Sequence, residues 1–346
     1  MRILLHEFVT GGGWYEHTDG PPSPSLATEG RAMLTAVAAD FAAEGIALDV
    51  LRDARGPEVS LPGCAIYEIS SAADEQQTLR RLAAEADWTL LIAPEFQGHL
   101  LTRCRAVEAA GGRLLGPSSE LVALATDKHA LCEHLSRHDI NVPRGVALDH
   151  FEPLPSDFHY PAVLKPRDGA GSLGVERVES WSVARRNGPS PARLEAFCPG
   201  QPASVAVLCG PEISVTLPPC FQSLGGESGF SYLGGSLPIP DELAARATDL
   251  AQRAVASLPR PLGYLGVDLV LGDEPSGAAD VVIEINPRLT TSYIGLRGLF
   301  AGNLAVAMLA IASGQSPGLC WKPGPITFET SGATWSGGGT ERVAGR

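Results

Sequence analysis

Aromatic residues make up only 6% of the 346 residues, and the longest apolar runs, such as residues 305–312, fall well short of the ~18 that cross a bilayer. At the start, Met1-Arg2-Ile3-Leu4-Leu5 runs directly into His6 and Glu7, which leaves no hydrophobic region for a secretory signal. Positive charge is in short supply too. Twenty-six Lys and Arg against 39 Asp and Glu leave a net charge of −13, which argues against nucleic acid or an anionic membrane as a partner. Any anionic ligand must then be held by a local cluster of cations. No CxxC pair occurs among the seven cysteines (64, 104, 132, 198, 209, 220 and 320), an odd and scattered set expected to be reduced and mostly buried in a cytoplasmic protein. A Walker A pattern and a GxSxG elbow are likewise missing. What remains is 44% apolar and 19% charged, the composition of a folded chain long enough for two or three domains.

Strand and helix patterns alternate over the first 117 residues. A β-type run at 2–8 breaks at Gly11-Gly12-Gly13, helical spacing covers 28–43 up to Gly45, and strand patterns recur at 46–51, 88–95 and 113–116. Helices are expected between them at 73–84 and 100–110. This α/β order predicts a parallel sheet covered on both faces, with ligands at the carboxyl ends of its strands. From residue 118 the order becomes α+β. Helices are expected at 119–125 and 128–138, hairpin-like strands at 162–178, strands near 203–208 and 212–217, a helix at 241–257, paired strands at 263–271 and 280–285, and a helix at 301–312. The Gly-, Ser- and Thr-rich tail from 321 to 346 has weak periodicity and is expected to add little to a core.

Three segments carry chemistry. Lys165-Pro166-Arg167-Asp168-Gly169-Ala170-Gly171-Ser172-Leu173-Gly174 contains GxGxxG, but a strand pattern follows the glycines where a dinucleotide fold needs a helix. A glycine loop between two strands instead lets backbone N–H groups close on phosphate oxygens, with Lys165 near them; an ordinary flexible hairpin is the competing reading. In Val281-Val282-Ile283-Glu284-Ile285-Asn286-Pro287-Arg288, alternation puts Glu284 and Asn286 on one strand face, with Asp268 able to face them from the neighbouring strand. Two carboxylates and an amide suit a hard cation such as magnesium, against the alternative of a solvated edge strand. Arg288 follows the acids and is a candidate to neutralise a transferring phosphoryl group. The third segment, residues 194–200, can serve as an extended hinge whose backbone reads a base while Phe197 packs on it.

In this order the segments resemble the ATP-grasp superfamily of ATP-dependent carboxylate–amine ligases, over residues 2–312. Within it, Ile3-Leu4-Leu5-His6-Glu7-Phe8 with Gly11-Gly12-Gly13, Glu29-Gly30-Arg31-Ala32-Met33-Leu34 and Asn286-Pro287-Arg288-Leu289-Thr290-Thr291 are similar to the tyramine–L-glutamate ligase group of methanofuran-type cofactor biosynthesis. The resemblance implies an α/β pre-ATP-grasp domain at 1–117, a lid subdomain with the glycine loop at 118–193, a metal-bearing subdomain at 194–320 and the tail at 321–346. It implies ATP with Mg2+ or Mn2+, Lys128 and Lys165 on phosphates under a loop containing Gly169, Gly171, Ser172 and Gly174, and Glu195 with Phe197 as the adenine hinge. Asp268, Glu284 and Asn286 become metal ligands, and Arg288 and Lys165 the catalytic pair. Pro202-Ala203-Ser204 stands where many relatives hold ribose with an acid, so ribose falls to Ser204 or to another group.

Phosphorylation of a carboxylate to an acyl phosphate, followed by amine attack, needs positioning and charge neutralisation rather than a protein nucleophile. For the acid (L-glutamate) and amine (tyramine-like) substrates, the strand ends offer Glu7, Gly12, Gly13 and Glu95, and the segment after the acidic strand offers Thr291 and Ser292. The competing reading makes the glycines a turn and Glu95 a helix N-terminal acid. His134 and His138 have metal-compatible spacing but no third ligand nearby, which favours a solvated helix face. A ligase for other amino acids or peptides, and a nonenzymatic nucleotide-binding regulator, are the alternative functions. A homo-oligomer is compatible with the sequence.

Overall fold

The computed structural model describes residues 1–17, 20–58, 61–149, 154–169, 173–181, 191–226 and 229–336. The first unit contains β1 (Arg2–Glu7), α1 (Pro24–Ala43), β2 (Ala47–Asp53), β3 (Cys64–Ile69), α2 (Ala72–Glu85), β4 (Trp88–Ile92) and α3 (His99–Ala109). Its strands are all parallel in the order β3-β2-β1-β4. Apolar runs in β1 and β4 serve both faces: Ile3 and Leu5 pack with Leu34, Val37 and Phe41 of α1, while Leu4 and Leu91 pack with Leu79, Leu82 and Val107 of α2 and α3. The fifth strand expected at 113–116 reduces to one bridge between Thr89 and Leu114. β3, absent from the expectation, is an edge strand whose Ala65, Ile66 and Glu68 are exposed, so its burial gives no clean alternation.

Two short helices follow, α4 (Ser119–Thr126) and α5 (Lys128–Arg137), then β5 (Gly145–Leu148), β6 (Ala162–Pro166), β7 (Glu176–Val178) and β8 (Ala192–Ala196). These four strands form an antiparallel sheet in the order β5-β8-β6-β7. The strand β7 after the glycine segment agrees with the rejection of a dinucleotide motif.

The largest sheet is built from β9 (Gln201–Cys209), β10 (Ser214–Thr216), β11 (Cys220–Gly225), β12 (Ser231–Leu237), β13 (Gly263–Leu271), β14 (Val281–Asn286), β15 (Ile326–Glu329) and β16 (Thr334–Ser336). Its order is β14-β13-β9-β11-β12-β15-β16, with β10 on β9. Its helices are α6 (Asp241–Ala256), α7 (Ser292–Leu299) and α8 (Leu304–Ala312). Alternation along β9 sorts its side chains. Val205, Val207 and Cys209 pack toward α6, α4 and α5, whereas Ala206 and Leu208 join the core of α1, α7 and α8. That second core is continuous with the first unit, and Asp40 of α1 ties the two by accepting from Tyr293 and the Arg297 guanidinium on α7. No helix among the described residues is long and apolar enough to cross a membrane.

The expectation for the tail needs correction. β15 pairs with β12, and Ile326 and Phe328 are buried, with Phe328 packed so tightly that a Cβ on Gly235 or Gly295 would meet its ring. A strand that alternates buried and exposed over four residues is too short to stand out of a glycine-rich context. Phe328→Ala is expected to cost about 3–5 kcal/mol of stability, measured by urea unfolding. A loss below about 1 kcal/mol would show the tail to be peripheral after all.

Candidate active site

A cavity of about 390 Å³ opens between the two antiparallel sheets. The same period-two alternation that buries Ala206 and Leu208 brings Pro202 and Ser204 of β9 to the cavity wall. Asp268 of β13 stands in register with both Ser204 and Glu284, and a bulge follows it between Asp268 and Leu269. Glu284 and Asn286, two apart on β14, share its face, as the sequence pattern requires. The opposite wall is β6 and β8, with Val163, Lys165, Ala196, Phe197 and Cys198. Leu224 and Tyr232, paired across β11 and β12, and Glu29 from α1 complete another side.

Charge is concentrated here in an otherwise apolar enclosure. Lys128 opens α5, fixed by Asp127, whose carboxylate caps the backbone of His129 and Ala130 and also pairs with Arg167. Its Nζ lies 2.6 Å from Glu284 Oε2 and donates to the Gly169 carbonyl at 2.9 Å. Lys165 Nζ lies 2.6 Å from Glu195 Oε1 and donates to the Ile283 carbonyl at 3.4 Å. Burial would lower the Lys128 pKa, but the Glu284 carboxylate outweighs it and keeps the ammonium charged. Enclosure raises Asp268 from the usual carboxylate range and the Glu284 charge raises it further. Enclosure would also raise Glu284, yet Lys128 and Lys165 hold it low. The two acids therefore divide one excess of negative charge. Asp268 accepts from Gln222 Nε2 at 2.9 Å and Asn286 Nδ2 at 3.0 Å. Beyond β14, Arg288 Nε lies 2.9 Å from Glu95 Oε1, and its Nη2 donates to Oε2 at 3.1 Å.

Comparison with known proteins matches this layout. A family model described as an ATP-grasp domain matches residues 125–292, and one described as a pre-ATP-grasp 3 domain matches residues 46–122. The chain carries an ATP-grasp domain behind a pre-ATP-grasp domain. It is 25% identical over 300 residues to the tyramine–L-glutamate ligase of Methanocaldococcus fervens, covering 85% of this chain and 89% of that protein. It is 29% identical over 345 residues to the D-alanine–D-alanine ligase of Mycobacterium sp. strain KMS, covering 90% of this chain and 87% of that protein. Among solved structures, an ATP-grasp superfamily protein of Archaeoglobus fulgidus superposes with a TM-score of 0.72 at 24% identity, over 95% of this chain and 92% of that one. ATP-grasp enzymes are ATP-dependent ligases, and this chain falls among their carboxylate–amine ligases.

Of the candidates read from the sequence, the ATP-grasp cavity gathers Lys128, Lys165, Gly169, Glu195, Phe197, Ser204, Asp268, Glu284, Asn286, Arg288, Thr291 and Ser292. Gly171 and Ser172 lie outside the described residues, and Gly174 is adjacent to Pro166 rather than on the cavity wall. Several of these candidates have other contacts or other places. The Glu195 carboxylate is engaged by Lys165 and by Arg193, at 2.6 and 2.9 Å. Ser204 sits across from Asp268 on the acidic floor of the cavity. Glu7 buries its carboxylate under its own loop, accepting from the backbone N–H groups of Val9 and Thr10 and the Thr10 hydroxyl. Gly30 lets α1 approach that carboxylate, since a Cβ there would stand 2.4 Å from Oε1. Gly12 and Gly13 pack on Ile69 and Phe8, so neither they nor Glu7 reach the cavity. Glu95 is engaged by Arg288 and does not line it either.

Glu29 is the residue that the motif reading passed over. Thr291 Oγ1 donates to its carboxylate, 262 positions away in the chain. Only its place in the Glu29-Gly30-Arg31 motif marked it beforehand. His134 and His138 are taken up by the carbonyls of Ser257 and His134, and no three His, Cys, Asp or Glu side chains among the described residues form a ready metal cage. All seven cysteines are free.

Proposed function

We propose that the protein phosphorylates a small carboxylic acid of the L-glutamate type with ATP and joins the resulting acyl phosphate to a tyramine-like primary amine, releasing ADP and phosphate. The observation that carries this reading is the convergence on one cavity of Lys128, Lys165 and Arg288 with Asp268, Glu284 and Asn286, from separate elements. Three cations suit a polyphosphate, and the acids opposite suit a divalent ion between phosphate and protein. Phe197, Val163, Cys198 and Ile283 form the apolar section expected to take adenine, with the hinge backbone at its edge.

Asp268, Glu284 and the Asn286 amide make an all-oxygen donor set that fits Mg2+ or Mn2+, and a divalent ion there would offset the enclosure and the Glu284 charge that raise Asp268. When bound, the ion supplies charge neutralisation to the phosphate oxygens. Lys165 and Lys128 hold the phosphate chain in line, and Arg288 faces the point where negative charge grows during transfer. Glu29 with Thr291 offers a carboxylate for a substrate ammonium, while Leu224, Phe230 and Tyr232 give an apolar wall for an aryl or alkyl body. Exclusion of water protects the acyl phosphate until the amine attacks.

The 29% identity to a D-alanine–D-alanine ligase supports a second reading, in which both partners are amino acids. One experiment separates them: ADP release over paired acids and amines, with mass spectrometry of each product. The expected result is greatest turnover with glutamate and tyramine, ADP and inorganic phosphate in equal amounts, and an amide at the acid's carboxylate. Preference for pairs of amino acids would favour the second reading, and AMP with pyrophosphate would refute the acyl-phosphate route.

A further inference from the structure

The turn at 95–98, just beyond β4, makes two contacts outside the cavity. Glu95 is buried and holds both its oxygens against Arg288, with Nε 2.9 Å from Oε1 and Nη2 3.1 Å from Oε2. Two residues on, the Gln97 backbone N–H donates to Asp168 Oδ2 at 3.0 Å. Gln97 has φ +52°, a left-handed conformation that a residue with a side chain keeps only when its surroundings hold it. Asp168 immediately precedes Gly169, whose carbonyl receives the Lys128 ammonium that also pairs with Glu284. One turn of the N-terminal sheet thus grips the arginine beyond the acidic strand and the root of the glycine segment. Glu95, Gln97 and Asp168 all lie off the cavity wall.

We infer that the 95–98 turn is a positioning element that sets Arg288 and the root of the glycine segment together, so that nucleotide affinity depends on side chains that do not touch nucleotide. The inference rests on the reading of the cavity as a nucleotide site. Its physical basis is that the guanidinium is held from two sides, by Glu95 through the Nη2 hydrogen bond and close opposite charge, and by the Leu289 carbonyl, which accepts from Nη1 at 3.2 Å, so that losing the Glu95 side lets it swing. Asp168 fixes the other end by holding Gln97 in its left-handed state. Loosening either contact frees the turn, after which loss of the second changes little.

Calorimetry of the full-length protein with a nonhydrolysable ATP analogue and Mg2+ tests this in wild type, Glu95→Gln, Asp168→Ala and the double variant. Each single change is expected to weaken binding about fivefold, and the double by about tenfold rather than the ~25-fold of independent sites. Asp168→Asn keeps an oxygen for the Gln97 N–H and is expected to bind within about twofold of wild type. Multiplying losses, an unaffected Glu95→Gln, or an Asp168→Asn as weak as Asp168→Ala would each overturn the inference. If Glu95→Gln fails to fold, the Asp168→Ala and Asp168→Asn pair decides alone. A wild type that binds no nucleotide would overturn the reading of the cavity itself, whereas additive losses in a wild type that binds overturn only the role of the turn.

Discussion

Glu284→Ala is expected to lower ADP release by about a thousandfold or more while leaving the fold intact. A loss of that size is about 4 kcal/mol of transition-state stabilisation, within reach of removing a metal-holding carboxylate from a water-poor site. Glu284 is the acid that both lysines keep ionised, so its removal takes away the permanently charged member of the pair. Asp268 alone, raised by enclosure, is a poor substitute until a cation draws its proton off. The fold is expected to survive because Glu284 faces the cavity, while Val282 and Ile285 on the same strand carry its packing. A coupled ADP assay beside a circular-dichroism melt checks both halves. Near-normal turnover in a folded Glu284→Ala protein would defeat the magnesium assignment.

Lys165→Met is expected to affect binding and stability together. Lys165 is 3% exposed, and it shares Glu195 with Arg193, which lies 2.9 Å from the other oxygen. Removing one member of such a buried cluster strands charge on the rest, at a cost of about 3–5 kcal/mol when a pair is broken outright. Here Arg193 still compensates Glu195, so a loss toward the lower end, about 3 kcal/mol, is expected in urea unfolding. Nucleotide affinity should fall about a hundredfold through loss of a phosphate-facing cation. Lys165→Met with Glu195→Gln should recover much of the stability and none of the affinity, because the stranded charge is gone but the cation is still missing. Recovery of both would show that Lys165 only neutralises Glu195.

These expectations draw on features of very different visibility in the sequence. β1 and β4 of the first sheet were legible because a parallel sheet covered on both faces needs uninterrupted apolar runs, and Ile3 to Leu5 and Leu90 to Ile92 supply them. The acidic strand was legible for the opposite reason. Glu284 and Asn286 recur at period two among apolar neighbours, a pattern that backbone geometry converts directly into a shared face. Weakly visible elements had mixed composition. β3 exposes half of its residues at a sheet edge, α7 carries Gly295 and Gly298, and β12 carries Gly234 and Gly235, where a Cβ would strike a neighbouring strand.

Glu7, Glu95 and Glu195 are acids at strand ends or beside the motif, and by pattern alone each looked available to a ligand. Glu7 is engaged locally, by Val9 and Thr10, whereas the partner of Glu95 is remote: Arg288 lies 193 positions away. Glu29 shows the converse, since its contact with Thr291 comes from the packing of α1 against the start of α7.

Residue order alone marked β1, β2, β4, the longer helices and the shared face of Glu284 and Asn286, because periodicity and chain stereochemistry act over a few neighbours. Tertiary structure decided which charges remain for a ligand and which are consumed by pairing. That choice follows from distance in space and from desolvation, and neither is a property of neighbours along the chain.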